Sequence, residues 1–227
     1  MAKYILNVHE TCLKEMVFSA VEAYAIPHSE DFWGRVMKET YGTLWGSSRE
    51  LPNGQVFIDI FFLSTETSAG REEDGVDPVE EATWTKAHIA ETFWPETHLI
   101  GDFHTHPFGK GMTEEIEKKD LWRFSSQDKK TQKESLESLP KGYTYFASTV
   151  MTVTQNEKER KRAAEIYKNI FVFDLGKYTF YFSACLACRT GNAVRLVSEE
   201  SSHIEMRCPL FCPSRDFAGR MKEYVYV

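Results

Sequence analysis

The chain has 227 residues, of which 42% are hydrophobic and 27% are charged, and its formal net charge is -7. This composition is typical of a globular protein with one main domain and a full hydrophobic core. The acidic balance argues against a general nucleic-acid-binding protein, whose surface is basic, and no uniformly apolar stretch of about 18 residues predicts a membrane span.

The N-terminus and the cysteines both favour a reducing compartment. The short apolar run at residues 4–6 is broken at once by Asn7, His9 and Glu10, which is not the pattern of a signal peptide. The five cysteines are an odd number and are widely spread, which favours free or metal-bound thiols. We therefore expect a cytoplasmic protein that binds neither membranes nor nucleic acid.

Helices and strands are predicted from the hydrophobic pattern in chain order. Apolar residues recur at helical spacing over residues 10–24, and a second short helix is predicted over residues 32–39. Asp77, followed by proline, is the expected N-cap of a helix that runs to about residue 93, and another helix is expected over residues 127–139. The predicted strands cover residues 40–45, 55–63, 98–103, 143–153, 170–175, 178–186 and 193–197. The charged segment 157–168 is expected to be a loop or a helix.

This order of elements predicts the fold class. Helices alternate with strands, and antiparallel hairpins are expected at both ends of the chain. Such an order favours an α+β fold built as an α-β-α sandwich. We expect one domain over residues 1–197 and a C-terminal extension over residues 198–227, to which the sequence assigns no role.

Two histidines follow the predicted strand 98–103. His104 and His106 are separated by one residue, so their side chains share a face of the strand, and Pro107 indicates a strand end. Zinc hydrolases use three protein ligands and keep one position open for water, and imidazoles with a carboxylate are a suitable set. The pair is also compatible with two histidines on a half-buried strand. The other five histidines show no such grouping.

Further polar residues can reach such a site from other elements. Asp128 lies in the first turn of the last predicted helix and is the preferred third ligand. Ser125 places a hydroxyl on the same turn, where it can steady an oxyanion. Glu39 precedes a predicted strand and can reach the end of a neighbouring strand, although an isolated glutamate there is usually solvated. Gly42 and Gly46 let another backbone or a ligand come close.

In these positions the sequence resembles the JAMM (JAB/MPN-plus) zinc metalloproteases. The family pattern is Glu-x-x-Gly-x-Leu-x-Gly, then His-[Ser/Thr]-His-Pro, then Ser-x-x-Asp. Here it reads Glu39…Gly42…Leu44…Gly46, His104-Thr105-His106-Pro107 and Ser125…Asp128. The resemblance spans about residues 10–155, and three separated elements in the right order make it specific.

The resemblance implies a fold, a zinc site and an activity. It implies a curved mixed β-sheet flanked by helices, with Zn²⁺ held by His104, His106 and Asp128. Glu39 would be the general base that takes a proton from the activated water, and Ser125 would stabilise the tetrahedral intermediate. The implied activity is that of a prokaryotic-type, deubiquitinase-like isopeptidase or peptidase. Its substrates would be ubiquitin-like proteins or their conjugates, cut after the C-terminal tail, and its partners would include conjugation machinery.

The segment between Pro107 and Ser125 departs from the family pattern. It contains seventeen residues, 108–124, which is longer than usual and puts the third ligand in question. The alternative ligands are Asp120, Glu114, Glu115 and Glu117. The glycines at its start would hinge a flap over the zinc, whereas the other interpretation is a passive surface loop. Trp122 is a candidate exposed contact for a partner.

Four cysteines form a second candidate metal site. They are Cys185, Cys188, Cys208 and Cys212, and their spacing is close to that of a structural zinc ribbon. The last two would tie the C-terminal extension to the domain. Small buried cysteines are also common in hydrophobic cores, which is the alternative interpretation.

Two other functions compete with the hydrolase. A catalytically silent MPN-type scaffold would bind ubiquitin-like proteins or partner subunits, but such scaffolds typically lack the metal ligands that this chain has. An amidohydrolase also begins from a His-x-His pair, but its barrel needs about 250 residues and further histidine ligands.

Overall fold

The computed structural model describes residues 3–26, 37–68, 70–71, 76–77 and 79–208. The described part contains four helices and twelve strands. The helices are α1 (Glu10–Ala25), α2 (Glu80–Phe93), α3 (Thr113–Lys119) and α4 (Ser126–Ser138). The strands are β1 (Tyr4–Val8), β2 (Tyr41–Glu50), β3 (Val56–Thr65), β4 (Gly70–Arg71), β5 (Val76–Asp77), β6 (His98–Pro107), β7 (Tyr145–Gln155), β8 (Ala163–Tyr167), β9 (Ile170–Leu175), β10 (Tyr178–Thr190), β11 (Ala193–Val197) and β12 (Ile204–Arg207).

Ten of the strands form one mixed sheet. Its order is β12-β1-β3-β2-β6-β7-β10-β9-β8, with β11 beside β10, while β4 and β5 pair separately. The pairs β12–β1, β1–β3 and β6–β7 are parallel, and the other pairs are antiparallel. Strand β6 is held on both edges, by β2 and by β7, so side chains on it have a well-fixed backbone.

Helix α1 covers one face of this sheet. Its buried side chains recur every three or four residues, and they are Cys12, Leu13, Met16, Val17, Ala20, Ala23 and Tyr24. They pack on β3, β6 and β7, where Ile58 and Phe103 belong to the same hydrophobic cluster. The predicted helix over residues 10–24 is confirmed, and its apolar stripe is the main source of its stability.

A second hydrophobic cluster lies on the opposite face. Leu44 and Trp45 are neighbours on β2 but belong to different clusters, because successive side chains of a strand point to opposite faces. Ala87 and Ala90 of α2 and Leu136 of α4 pack in the cluster that contains Trp45. The residues next to Phe103 on β6 therefore face the side that α2 and α4 cover.

The expected α-β-α sandwich is wrong. A ten-stranded sheet dominates the described residues and curls into a half barrel, so the fold is not a flat sheet layered between helices, although helices lie on both of its faces. The four helices contain 16, 14, 7 and 13 residues. The sandwich was expected because helices and strands alternate early in the chain, whereas β7 to β12 follow one another without a helix between them.

The charged segment 157–168 also differs from its prediction. It contains β8, which pairs with β9 at one edge of the sheet. All five residues of β8 are exposed, so a strand can form there without burying any charge. A short edge strand with a charged residue, here Glu165, discourages pairing with other chains.

Other boundaries shift by a few residues or more. Asp77 lies in β5, and the N-cap of α2 is Val79, so the predicted aspartate cap is wrong. The predicted helix over residues 32–39 lies mostly outside the described residues, and residues 37–40 are not helical. Strand β12, in the C-terminal extension, pairs with β1 and so belongs to the main sheet. None of the helices in the described part of the chain has the length and apolar content needed to span a bilayer.

Candidate metal centre

Strand β6 directs two histidines toward one face of the sheet. His104 and His106 alternate with Phe103 and Thr105, which point to the other face and are buried there. The backbone N–H of Thr105 donates to the carbonyl oxygen of Thr40 at 3.1 Å, and the Thr40 N–H donates to the Thr105 hydroxyl at 2.9 Å. The backbone beneath the two imidazoles is therefore fixed by neighbouring residues.

The third predicted ligand lies in the first turn of α4. Ser125 is the N-cap, and its hydroxyl oxygen accepts a hydrogen bond from the Asp128 backbone N–H at 3.0 Å. In return, the Asp128 carboxylate accepts one from the Ser125 backbone N–H at 2.7 Å. This capping box fixes the Asp128 side chain without a metal. Ser125 is exposed, and its hydroxyl hydrogen is left to donate.

The three side chains meet at distances that suit a tetrahedral ion. Nε2 of His104 lies 3.2 Å from Nε2 of His106, and each Nε2 lies 3.5 Å from a different carboxylate oxygen of Asp128. Zinc bonds nitrogen and oxygen at about 2.0–2.2 Å, so the edges of its tetrahedron are about 3.3–3.6 Å long. Within the described residues, these three form the group of possible metal ligands whose ligand atoms all lie within 4.8 Å of one another.

The three groups shift one another's pKa values. Burial acts to raise the pKa of Asp128, but the hydrogen bonds and charges of His104 and His106 outweigh it, and the pKa lies well below its ordinary value. Burial acts to lower the pKa of His104, but Asp128 and two further acids raise it overall. Burial and the neighbouring His104 lower the pKa of His106. A metal ion would replace the proton on His104, so its binding is coupled to proton release.

Glu39 lies beside the histidines, just before β2. Because Thr40 is hydrogen-bonded to Thr105, Glu39 comes opposite His106. It therefore faces the same side of the sheet as both imidazoles. Its negative charge contributes to the raised pKa of His104, which requires the carboxylate to be near that ring. Glu39 is half-buried. The structure therefore brings Glu39 to the site that the sequence assigned to it.

The glycines after Glu39 allow β3 to come close to β2. A Cβ on Gly46 would lie 1.8 Å from the carbonyl oxygen of Asp59, at a point where the register of the two strands shifts. A Cβ on Gly42 would lie 2.8 Å from the carbonyl oxygen of Ser64. The predicted close approach of another backbone is confirmed at both glycines.

The acids of segment 108–124 are engaged away from the histidines. Asp120 pairs with Arg123 at 2.9 Å, and Glu117 pairs with Arg162 at 2.6 Å. The remaining acids of the segment are exposed, and they are Glu114 and Glu115. None of these four belongs to the metal-ligand group found among the described residues. The geometry therefore retains Asp128 as the third ligand.

This segment is packed against the sheet. After α3 the chain turns at Trp122, which is 3% exposed and packs with Ile116 against Val172 and Tyr181. Main-chain hydrogen bonds also tie the start of the segment to β7. The expected exposure of Trp122 and the interpretation as a passive surface loop are both wrong. A flap would have to break these contacts, and Ser125 directly follows the segment in the chain.

Asp102 is a site residue that the sequence pattern did not single out. It lies on β6 two residues before His104, on the same face, and it is 7% exposed. Its register partner on β7 is Ser148, and neither Oδ1 of Asp102 nor Oγ of Ser148 has a hydrogen-bond partner. Burial raises the pKa of Asp102 to about 6, although His104 and Ser148 act to lower it. An acid inside an otherwise apolar strand was the available signal.

The cysteines of β10 cannot share one ion. Cys185 and Cys188 are three residues apart on a strand, so their side chains leave opposite faces. The Cys185 thiol donates to Oε1 of Gln132 on α4 at 2.7 Å, whereas Cys188 and Cys208 lie in the main cluster under α1. Cys212 lies outside the described residues. Burial raises the pKa of the thiols of Cys185 and Cys188, as expected for core cysteines.

Comparisons with known proteins add little to this geometry. No protein-family model matches the chain, and no curated protein matches it by sequence. Among solved structures, it is similar to the N-terminal domain of STIL from Trichoplax adhaerens, with a TM-score of 0.40 and 11% identity. The match covers 81% of this chain and 43% of that one, so the chain spans less than half of that structure. Function is therefore inferred from the geometry of the site.

Proposed function

We propose that this protein is a zinc-dependent amide hydrolase whose metal ion is held by His104, His106 and Asp128. The observation that carries the proposal is the spacing of the three ligand atoms, 3.2–3.5 Å, on a strand and a capped helix. Two imidazoles and one carboxylate are a donor set of catalytic zinc sites, which leave one position open. Zinc bound there would polarise a scissile carbonyl and lower the pKa of water to about 7.

Glu39 is the proposed general base. Its half-buried carboxylate faces the same side of the sheet as the histidines, and its charge acts on His104. A carboxylate in that position can accept the proton of the attacking water and pass it to the leaving amine. Ser125 is the proposed oxyanion donor, since its oxygen accepts from Asp128 N–H and its hydrogen is left for the substrate.

The proposed substrate is the C-terminal tail of a ubiquitin-like protein, joined by a peptide or isopeptide bond. The motif order, which resembles that of the JAMM proteases, supports this choice through the residues alone, without the sandwich fold. Further support is an open groove of about 150 Å³ between α2 and α4, lined in part by Tyr41, Thr43 and Gly101. Tyr41 pairs with His104 across the sheet, so one wall of the groove is next to the strand that carries the two histidines.

The cysteines support a proposed cell compartment. The four cysteines in the described residues are buried and form no disulfide with one another. Cysteines without disulfides are typical of a reducing compartment, so we propose that the protein acts in the cytoplasm. Its proposed partners are ubiquitin-like proteins, their conjugates and the machinery that joins them.

Cleavage of a ubiquitin-like fusion by purified, zinc-loaded protein tests this function. Glu39→Gln should keep its zinc but lose activity by about 100- to 10,000-fold, because the base is removed and the ligands are kept. Glu114→Gln is the matched control on an exposed glutamate of α3 and should keep full activity. Equal cleavage by Glu39→Gln and wild type, or full activity after zinc is removed, would overturn the proposal. Zinc binding without cleavage of any tail would favour a scaffold.

A further inference from the structure

Asp102 is a buried acid next to the metal site, and the proposed chemistry does not use it. Burying an ionisable carboxyl group without a full set of hydrogen bonds is costly, and an apolar residue would suit an inner strand better. Oδ1 of Asp102 is buried and has no partner, on the strand face that also carries His104. A buried polar atom of this kind indicates an interaction beyond the packing of the sheet.

Asp102 lies closer to one of the two histidines along the strand. It is two residues from His104 and four residues from His106 on β6, so its side chain is next to His104 on their shared face. Glu39 approaches that face from the neighbouring strand instead. Asp102 is therefore the acid on the same strand as His104 and adjacent to it.

The ring of His104 has one nitrogen left for such a partner. Nε2 of His104 faces both His106 and Asp128, so Nδ1 is the atom that remains. Histidines that bind a metal through one ring nitrogen almost always donate the other N–H to an acceptor, which fixes their tautomer and orientation. A carboxylate two residues away on the same strand face is within reach of that role.

We infer that Asp102 is a positioning residue whose unpartnered Oδ1 accepts the Nδ1–H of His104 when the metal is bound, and so keeps Nε2 directed at the metal. The inference rests on the proposed metal site, but it does not depend on which bond is hydrolysed. Asp102 acts through His104 and touches neither the metal nor the substrate. Ser148, its register partner on β7, is beside the carboxylate and can donate its hydroxyl to it.

Nuclear magnetic resonance of the zinc-loaded wild-type protein tests the inference without any variant at Asp102. The Nδ1–H proton of His104 should exchange slowly with water and give a resolved signal. The loss of this signal in His104→Ala assigns it to His104. Zinc affinity, measured by competition with a chelator, provides the second readout. Asp102→Ala should weaken zinc binding by about 10- to 100-fold, the range found when a partner of a metal ligand is removed.

The matched control is Asp174→Ala. Asp174 is also a buried aspartate with one unpartnered oxygen, but it lies on β9 and is absent from the interactions of either histidine. Zinc affinity should be unchanged in Asp174→Ala. Absence of the His104 Nδ1–H signal in wild type, or equal affinities in both variants, would overturn the inference. Cleavage that persists with unchanged affinity in Asp102→Ala defeats only this inference, whereas tight zinc binding without cleavage defeats only the proposed function.

Discussion

Replacing Trp122 tests whether segment 108–124 is packed against the sheet and supports the candidate ligand Asp128, or is a loose loop. The indole is 3% exposed among Ile116, Val172 and Tyr181, and its carbonyl oxygen accepts a hydrogen bond from Ser183 at 3.2 Å. Replacing a buried tryptophan with alanine costs about 3–5 kcal/mol. In a protein of this size, each kcal/mol lowers Tm by about 2–4 °C, so Trp122→Ala should lower it by about 6–20 °C.

The assay is thermal unfolding measured by calorimetry, with a chelator present to keep the protein free of metal. Trp94→Ala is the matched control, because Trp94 is 58% exposed and its removal should change stability by no more than about 0.5 kcal/mol. The Trp122 variant should also be cut by protease within segment 108–124 far faster than wild type. Similar Tm values for the two variants would refute the packed segment and restore the surface loop.

Three further changes test the elements around the site. Ser125→Ala should cost about 1 kcal/mol in urea unfolding, because Asp128 N–H loses its cap, and no loss would contradict the capping box. Burial acts to raise the pKa of Glu117, but its hydrogen bonds with Tyr181 and Arg162 outweigh burial and lower it. The contribution of Glu117 to folding stability is therefore present above about pH 4.3 and is lost as the pH falls through the lowered pKa. The stability difference between wild type and Glu117→Gln should therefore shrink as the solution is acidified, and a constant difference would contradict that ion pair. Gly46→Ala should cost more than about 3 kcal/mol, because its Cβ would fall 1.8 Å from the Asp59 carbonyl oxygen, and a normal Tm would contradict the register.

The sequence was sufficient to predict the local parts of the site. His104 and His106 show the two-residue period of a strand, which is independent of the rest of the fold. Ser125 and Asp128 have the spacing of a capping box, so the same two residues specify both the start of the helix and the position of the candidate ligand. Short-range geometry therefore made the histidine pair and the capped aspartate predictable one by one, whereas their meeting at one site was expected from the resemblance and depends on long-range packing.

The overall architecture depended on long-range pairing and was not predictable in the same way. Strand β8 is exposed and follows the charged run 157–162, so the segment as a whole resembles a loop in composition, and only the pairing of β8 with β9 makes it a strand. Strands β1 and β12 are short and far apart in sequence, yet they pair in parallel at one side of the sheet. The curl of the sheet follows from all of these pairings together. Asp102 was overlooked because it lies outside the motif positions, and its burial depends on the pairing of β6 with β2 and β7.

X-ray absorption at the zinc edge shows whether a zinc ion is bound by two imidazoles and one carboxylate. The protein should bind one zinc per chain, with nitrogen and oxygen neighbours at about 2.0–2.2 Å and no sulfur. His104→Ala should lose that ion, whereas Cys185→Ala should keep it, because the Cys185 thiol bonds to Gln132. Sulfur neighbours at about 2.3 Å, or unchanged zinc content in His104→Ala, would contradict the account.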